Sequence, residues 1–106
     1  MDFRNIADAR RFSPEKYQKN NLFETEQTAV DVYCLLPGQS QRLHSHKGTD
    51  KYYVIWEGRA TVQVGSETRE LNPGEISLAR PGVEHSIANR SDAPVVALVF
   101  QAPKSF

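Results

Sequence analysis

Three histidines are the residues best suited to chemistry in this chain, and it has no others. His44 and His46 flank Ser45, and His85 lies in a later segment. Neutral imidazole is a common ligand for borderline divalent ions. Side chains alternate faces along a strand, so on a strand His44 and His46 point the same way and can reach one ion. His-x-His alone is a weak signal, because two histidines on a polar surface strand give the same pattern. His85, just past the turn Arg80-Pro81-Gly82, strengthens it, since an antiparallel barrel brings distant strands around one interior. Asp50 and Lys51 follow closely. A protonated amine would not ligate an ion and would repel it. Arg42 is in phase with His44 and His46. It reads either as a surface salt bridge near a strand start, the preferred reading, or as the group that captures a substrate carboxylate.

These residues need a scaffold, and the chain spells one out as short β-type runs broken by turn residues. The runs are Leu22–Thr25, Ala29–Leu36, Gln41–His46, Lys51–Trp56, Arg59–Val64, Glu67–Leu71, Glu75–Ala79, Val83–Asn89 and Pro94–Gln101. Gly65-Ser66 is a two-residue hairpin signal between two of them. Turns at such intervals, with no helical pattern between strands, argue for an all-β sandwich or barrel over a parallel α/β sheet. The first twenty residues differ: Ser13-Pro14-Glu15 carries a cap, a proline and an acid, which predicts a helical turn over Pro14–Gln18. The expected organisation is an arm over residues 1–20 with that short helix, then a barrel over residues 21–106.

Within the barrel, alternation places Lys51, Tyr53 and Ile55 on the inner face, with Tyr53 and Ile55 lining the pocket, and Tyr52, Val54 and Trp56 on the outer one; Tyr53 reads first as a core tyrosine and second as a pocket hydroxyl. Ile76, Leu78, Ile87, Val96, Leu98 and Phe100 are core candidates. Val32-x-Cys34-x-Leu36 reads as core packing, Asn89 as a fastener of a strand end, and Glu84 as pointing away from the histidines. The arm, Phe3 to Phe23, is too large for the interior; it is expected to pack outside or cross to a second copy, in a homodimer that also covers Trp56.

The glycines, histidines, proline and asparagine fall in a recognisable order. Gly38, His44-x-His46 and a strand ending at Gly58 resemble the first motif of the cupins; Gly74, Pro81-Gly82, His85 and Asn89 resemble the second. Fifteen residues separate Gly58 from Gly74, similar to the short spacing of compact bacterial cupins. The resemblance implies a jelly-roll barrel, or double-stranded β-helix, with a metal in its mouth held by His44, His46 and His85. Two positions depart from the pattern. Arg80 stands where proline is usual, and Lys51 where the family usually supplies a glutamate ligand. Three readings stay open. The trio holds Zn, Fe, Mn, Ni or Cu with water; or Asp50 turns in as a fourth ligand; or Lys51 turns in, the metal is lost, and the amine meets Asp50 or an anion.

Function is correspondingly divided. One reading is a metal-dependent enzyme, of dioxygenase or isomerase type, on a small polar or carboxylated molecule, with Lys51 or Asp50 as acid–base group. The other is a non-catalytic small-ligand-binding module. Thirteen basic and thirteen acidic residues leave no net charge and no basic block, which argues against nucleic acid. No apolar run approaches a membrane span of about 20 residues. The opening MDFRNIADARRF has no apolar h-region, so no secretory leader is expected. One cysteine cannot form an internal disulfide, which fits a reducing, cytoplasmic setting.

Overall fold

The computed structural model describes residues 2–104. Eight antiparallel strands form two sheets. They are β1 (Gln18–Glu24), β2 (Ala29–Leu35), β3 (Asp50–Glu57), β4 (Ala60–Val64), β5 (Glu67–Leu71), β6 (Ile76–Ala79), β7 (His85–Ala88) and β8 (Val95–Ala102). The larger sheet runs β1-β2-β8-β3-β6 and the smaller β5-β4-β7. This is the all-β barrel the turn spacing predicts. The β4–β5 hairpin is closed by Gly65-Ser66, with Val64 opposite Glu67. At the end of β3, Gly58 has φ +78°, and a Cβ there would collide with the carbonyl oxygen of Pro94. Only glycine fits that turn.

The barrel interior is filled by Tyr33, Leu35, Tyr53, Ile55, Val62, Ile87, Val95 and Val99, all buried. A second apolar cluster lies outside the larger sheet, where Ala9 packs against Leu22, Val32, Cys34, Val96 and Leu98, with Ile6 and Phe12 alongside. The arm therefore covers the outer face of β1, β2 and β8. Asn20 holds it there, its buried amide donating to the carbonyls of Ala9 (2.8 Å) and Arg11 (3.1 Å). Arg10 adds a bidentate pair with Glu57 at 2.6 and 2.7 Å.

Three expectations need correction. The helical turn is a 3-10 turn at Ile6–Ala9, where the Asn5 side chain accepts from the Ala7 amide at 2.9 Å. Residues 14–16 form only a bend and Gln18 already pairs with Cys34. The cap-like contact of Ser13 with the Glu15 amide, at 3.3 Å, does form, but strand pairing takes the chain before a helix can propagate. Second, Ile76 and Phe100 are 58 % and 37 % exposed. Both faces of β8 are apolar, and the arm covers Val96 and Leu98 but not Phe100. Third, Gln41–His46 is not a continuous strand. It touches β7 by bridges at Ser40–Ala88 and His44–His85. Four residues on one side span three on the other, so one residue bulges between the bridges. Cys34 packs in the core as expected, in the cluster beneath the arm.

Candidate metal centre

The bulged segment and the start of β7 bring the histidines together. His44 and His85 exchange backbone hydrogen bonds at 3.1 and 2.8 Å, and the Gly82 amide donates to the His46 carbonyl at 2.8 Å. One ligand atom from each of His44, His46 and His85 lies within 4.8 Å of the others. The His44 ring centroid is 4.9 Å from that of His46 and 4.3 Å from that of His85. Placement of all three at one point is as the sequence predicts.

The tautomers follow from the partners. His44 Nδ1 lies 2.8 Å from the Arg42 carbonyl and His85 Nδ1 2.9 Å from the Val83 carbonyl. A carbonyl only accepts, so each Nδ1 carries the proton and each Nε2 presents its lone pair. Such backbone support fixes both the tautomer and the ring orientation of a metal-ligating histidine. His85 Nε2 is buried and has no hydrogen-bond partner among the described residues. Burial pushes the His85 imidazole down to about 4, with the charge of Lys51 adding to the effect against the Val83 bond. Burial likewise lowers His44 and His46. Three neutral imidazoles, one with an orphaned buried lone pair, fit a borderline divalent ion.

Lys51, not Asp50, faces the histidines. Its side chain is 1 % exposed, and its Nζ donates to His44 Nε2 at 3.1 Å. The same Nζ sits 5.5 Å from the ring centroids of Tyr33 and Tyr53. Burial, then the charge of Lys19, lowers this amine from 10.5 to about 7, while Asp31 acts the other way. Asp50 precedes Lys51 on β3, so its side chain leaves by the opposite face. Among the described residues, no carboxylate belongs to the histidine group. The regular pairing of Asp50 with Ala102 and of Lys51 with Gln101 leaves no bulge to reverse the two.

Beneath the amine, the Tyr53 hydroxyl donates to Gln41 Oε1 at 2.5 Å and Gln41 Nε2 reaches the Tyr33 hydroxyl at 3.5 Å. Burial raises both phenols above their ordinary range. Above it opens a cleft of ≈ 490 Å³ lined by Tyr17, Lys19, Ser40, Gln41, Arg42, His44, His46, Lys51 and Gln101. Arg42 thus lines the cleft, and it takes part in none of the salt bridges among the described residues, against the surface-pair reading. Tyr53 and Ile55 pack deeper, in the barrel core, and neither lines the cleft. Asn89 fastens strand ends, donating to the carbonyls of Leu35 and Ala93 at 2.9 and 2.8 Å. Glu84 is exposed. Tyr17, Lys19 and Gln41 had no motif to mark them; only pairing of β1 with β2 brings the first two to the cleft.

Residues 31–101 match the cupin domain family. The chain is 31 % identical over 77 residues to the uncharacterised protein SCO3923 of Streptomyces coelicolor, covering 73 % of this chain and 72 % of that one. It is 37 % identical over 67 residues to the tetracenomycin polyketide synthase protein TcmJ of Streptomyces glaucescens, covering 63 % of this chain but only 44 % of TcmJ. The crystal structure of TT1209 from Thermus thermophilus superposes with a TM-score of 0.94 at 40 % identity, over 97 % of this chain and 98 % of that one. A double-stranded β-helix protein from Klebsiella pneumoniae shares the fold, with a TM-score of 0.90 at 24 % identity over 97 % and 90 % of the two chains. No helix among the described residues is long and apolar enough to cross a membrane. Fold, histidine cluster and sequence similarity agree, and the chain belongs to the cupin family.

Proposed function

We propose that this cupin binds one divalent transition metal through His44, His46 and His85, and that the cleft above them takes a small polar molecule. The observation that carries the reading is the set of three neutral imidazoles with ligand atoms within 4.8 Å. Zn, Fe, Ni and Cu suit imidazole donors, whereas Mn favours oxygen ligands. Bound there, the ion would act as a Lewis acid toward a substrate oxygen or a bound water. The chain's own residues do the rest. The Arg42 and Val83 carbonyls hold two rings in place, and Tyr53, Gln41 and Tyr33 form the floor. Lys51 Nζ, 3.1 Å from His44 Nε2, is the group placed to hold or move a proton, which fits a dioxygenase- or isomerase-type enzyme; Asp50, turned away, is not. A homodimer covering Trp56, Ile76 and Phe100 on the outer face accompanies this proposal, and light scattering that finds a monomer at micromolar concentration would remove it. The single buried thiol of Cys34 suits a reducing, cytoplasmic setting.

One observation favours a second reading. Lys51 holds His44's only free lone pair, which fits a non-catalytic module that keeps a small ligand and gives up the metal. Metal analysis of protein purified without chelators, beside a His44→Ala control, separates the two. The metal reading expects close to one equivalent in the parent and a large loss in the variant. Protein that holds no transition metal, even after metal salts are added, would favour the binding module.

A further inference from the structure

We propose that the cleft takes a small carboxylate anion on Lys19, Arg42 and Lys51, and that this anion draws Lys51 off His44 and so opens the imidazole cluster to metal. The inference rests on the metal reading above and deepens it by naming a ligand class and a coupling.

The lining has three cationic side chains, Lys19, Arg42 and Lys51, and no acidic one. The salt bridges among the described residues are Arg10–Glu57, Arg59–Glu70, Arg69–Glu67 and Lys104–Glu24, so none uses these three. Lys19 and Lys51 both sit over the Tyr33 ring, with Nζ 5.6 and 5.5 Å from its centroid. Asp31, on β2, accepts a hydrogen bond from Asn21 at 2.9 Å. Asp31 acts on Lys51 from β2, but its carboxylate is not part of the cleft lining, and like charges held over one ring are a ready anion site. Arg42 supplies a planar fork for a carboxylate and the lysines supply point charges. The volume of ≈ 490 Å³ suits a small molecule.

The coupling follows from one lone pair. His44 Nδ1 bonds the Arg42 carbonyl at 2.8 Å, which leaves Nε2 as the ring's only acceptor. Lys51 Nζ uses that acceptor at 3.1 Å. A metal ion needs the same electrons, so amine and metal compete for His44. An anion that holds Lys51 on the cleft side relieves the competition. By linkage, bound metal must raise the affinity for the anion by the same factor.

Calorimetry with Zn²⁺ and propionate as probes tests both halves. Metal-free parent protein should bind propionate at millimolar concentration, and Arg42→Gln and Lys19→Gln should each weaken it severalfold. Zn²⁺ should bind the parent at least about fivefold more tightly in propionate than in chloride of equal ionic strength. Propionate can also ligate the ion directly, and Lys51→Met isolates that contribution. The variant should bind Zn²⁺ more tightly than the parent in chloride and gain much less from propionate. Equal gains in parent and variant overturn the coupling, and no propionate binding to the metal-free parent overturns the anion site. Absence of Zn²⁺ binding from both proteins in chloride defeats the metal reading and the coupling with it; the metal-free titration then decides the anion site alone.

Discussion

Lys51 is a buried amine among neutral rings, and removing it should make the metal-free protein more stable. Burial and then Lys19 lower the amine from 10.5 to about 7. At about 1.4 kcal/mol for each pH unit of depression, keeping it charged costs the fold close to 5 kcal/mol below neutral pH. Lys51→Met keeps the stem and deletes the charge. It also loses the bond to His44 and the contacts with Tyr33 and Tyr53, which together return about 1–2 kcal/mol. The net expectation is a gain of roughly 3 kcal/mol near pH 6. The pH dependence is more telling than the magnitude. Between 7 and 10.5 the unfolded chain still binds the lysine proton and the folded chain has released it. Stability of the parent therefore rises with pH across that window and is lost as pH falls through it. Urea unfolding with a chelator present, at several pH values from about 6 to 10, measures the gap. It should be widest at the acid end and close, or reverse, as pH nears 10.5. A variant less stable than the parent near pH 6, or a gap independent of pH, would refute the reasoning.

Other residues give independent tests. His85 titrates at about 4 in the fold against an ordinary 6.5, so metal-free protein should lose stability as pH falls from 6.5 toward 4, and His85→Asn should remove that part of the acid sensitivity in urea melts. Gly58→Ala places a Cβ against the Pro94 carbonyl at positive φ; it should destabilise by at least about 2 kcal/mol, read as a lower urea midpoint. Asn20→Ala strands the carbonyls of Ala9 and Arg11 that its amide satisfies; it should cost about 1–3 kcal/mol and speed proteolysis within the arm while the barrel stays protected.

The barrel and the histidine trio were legible because each depends on local signals. Turn residues mark strand ends, and period-two alternation places His44 with His46 and Lys51 with Tyr53. Other features depend on what one strand meets across space. Alternation cannot tell an inner face from an outer one on β2 and β8, where both faces are apolar; the arm decides that, and it stops short of Phe100. The helical turn expected at Pro14 lost to pairing of Gln18 with Cys34. The bulge between Ser40 and His44 has no glycine to announce it, and Tyr17, Lys19 and Gln41 reach the cleft only through pairings remote in sequence. Asp50 against Lys51 was a one-residue question of register, which the pairing with β8 answers.

X-ray absorption on protein loaded with Zn²⁺ tests the central claim most directly. Three imidazole nitrogens at about 2.0–2.1 Å in the parent, falling to two in His85→Asn, are the predicted result. An ion that fails to bind, or one whose nitrogen shell is unchanged by His85→Asn, would contradict it.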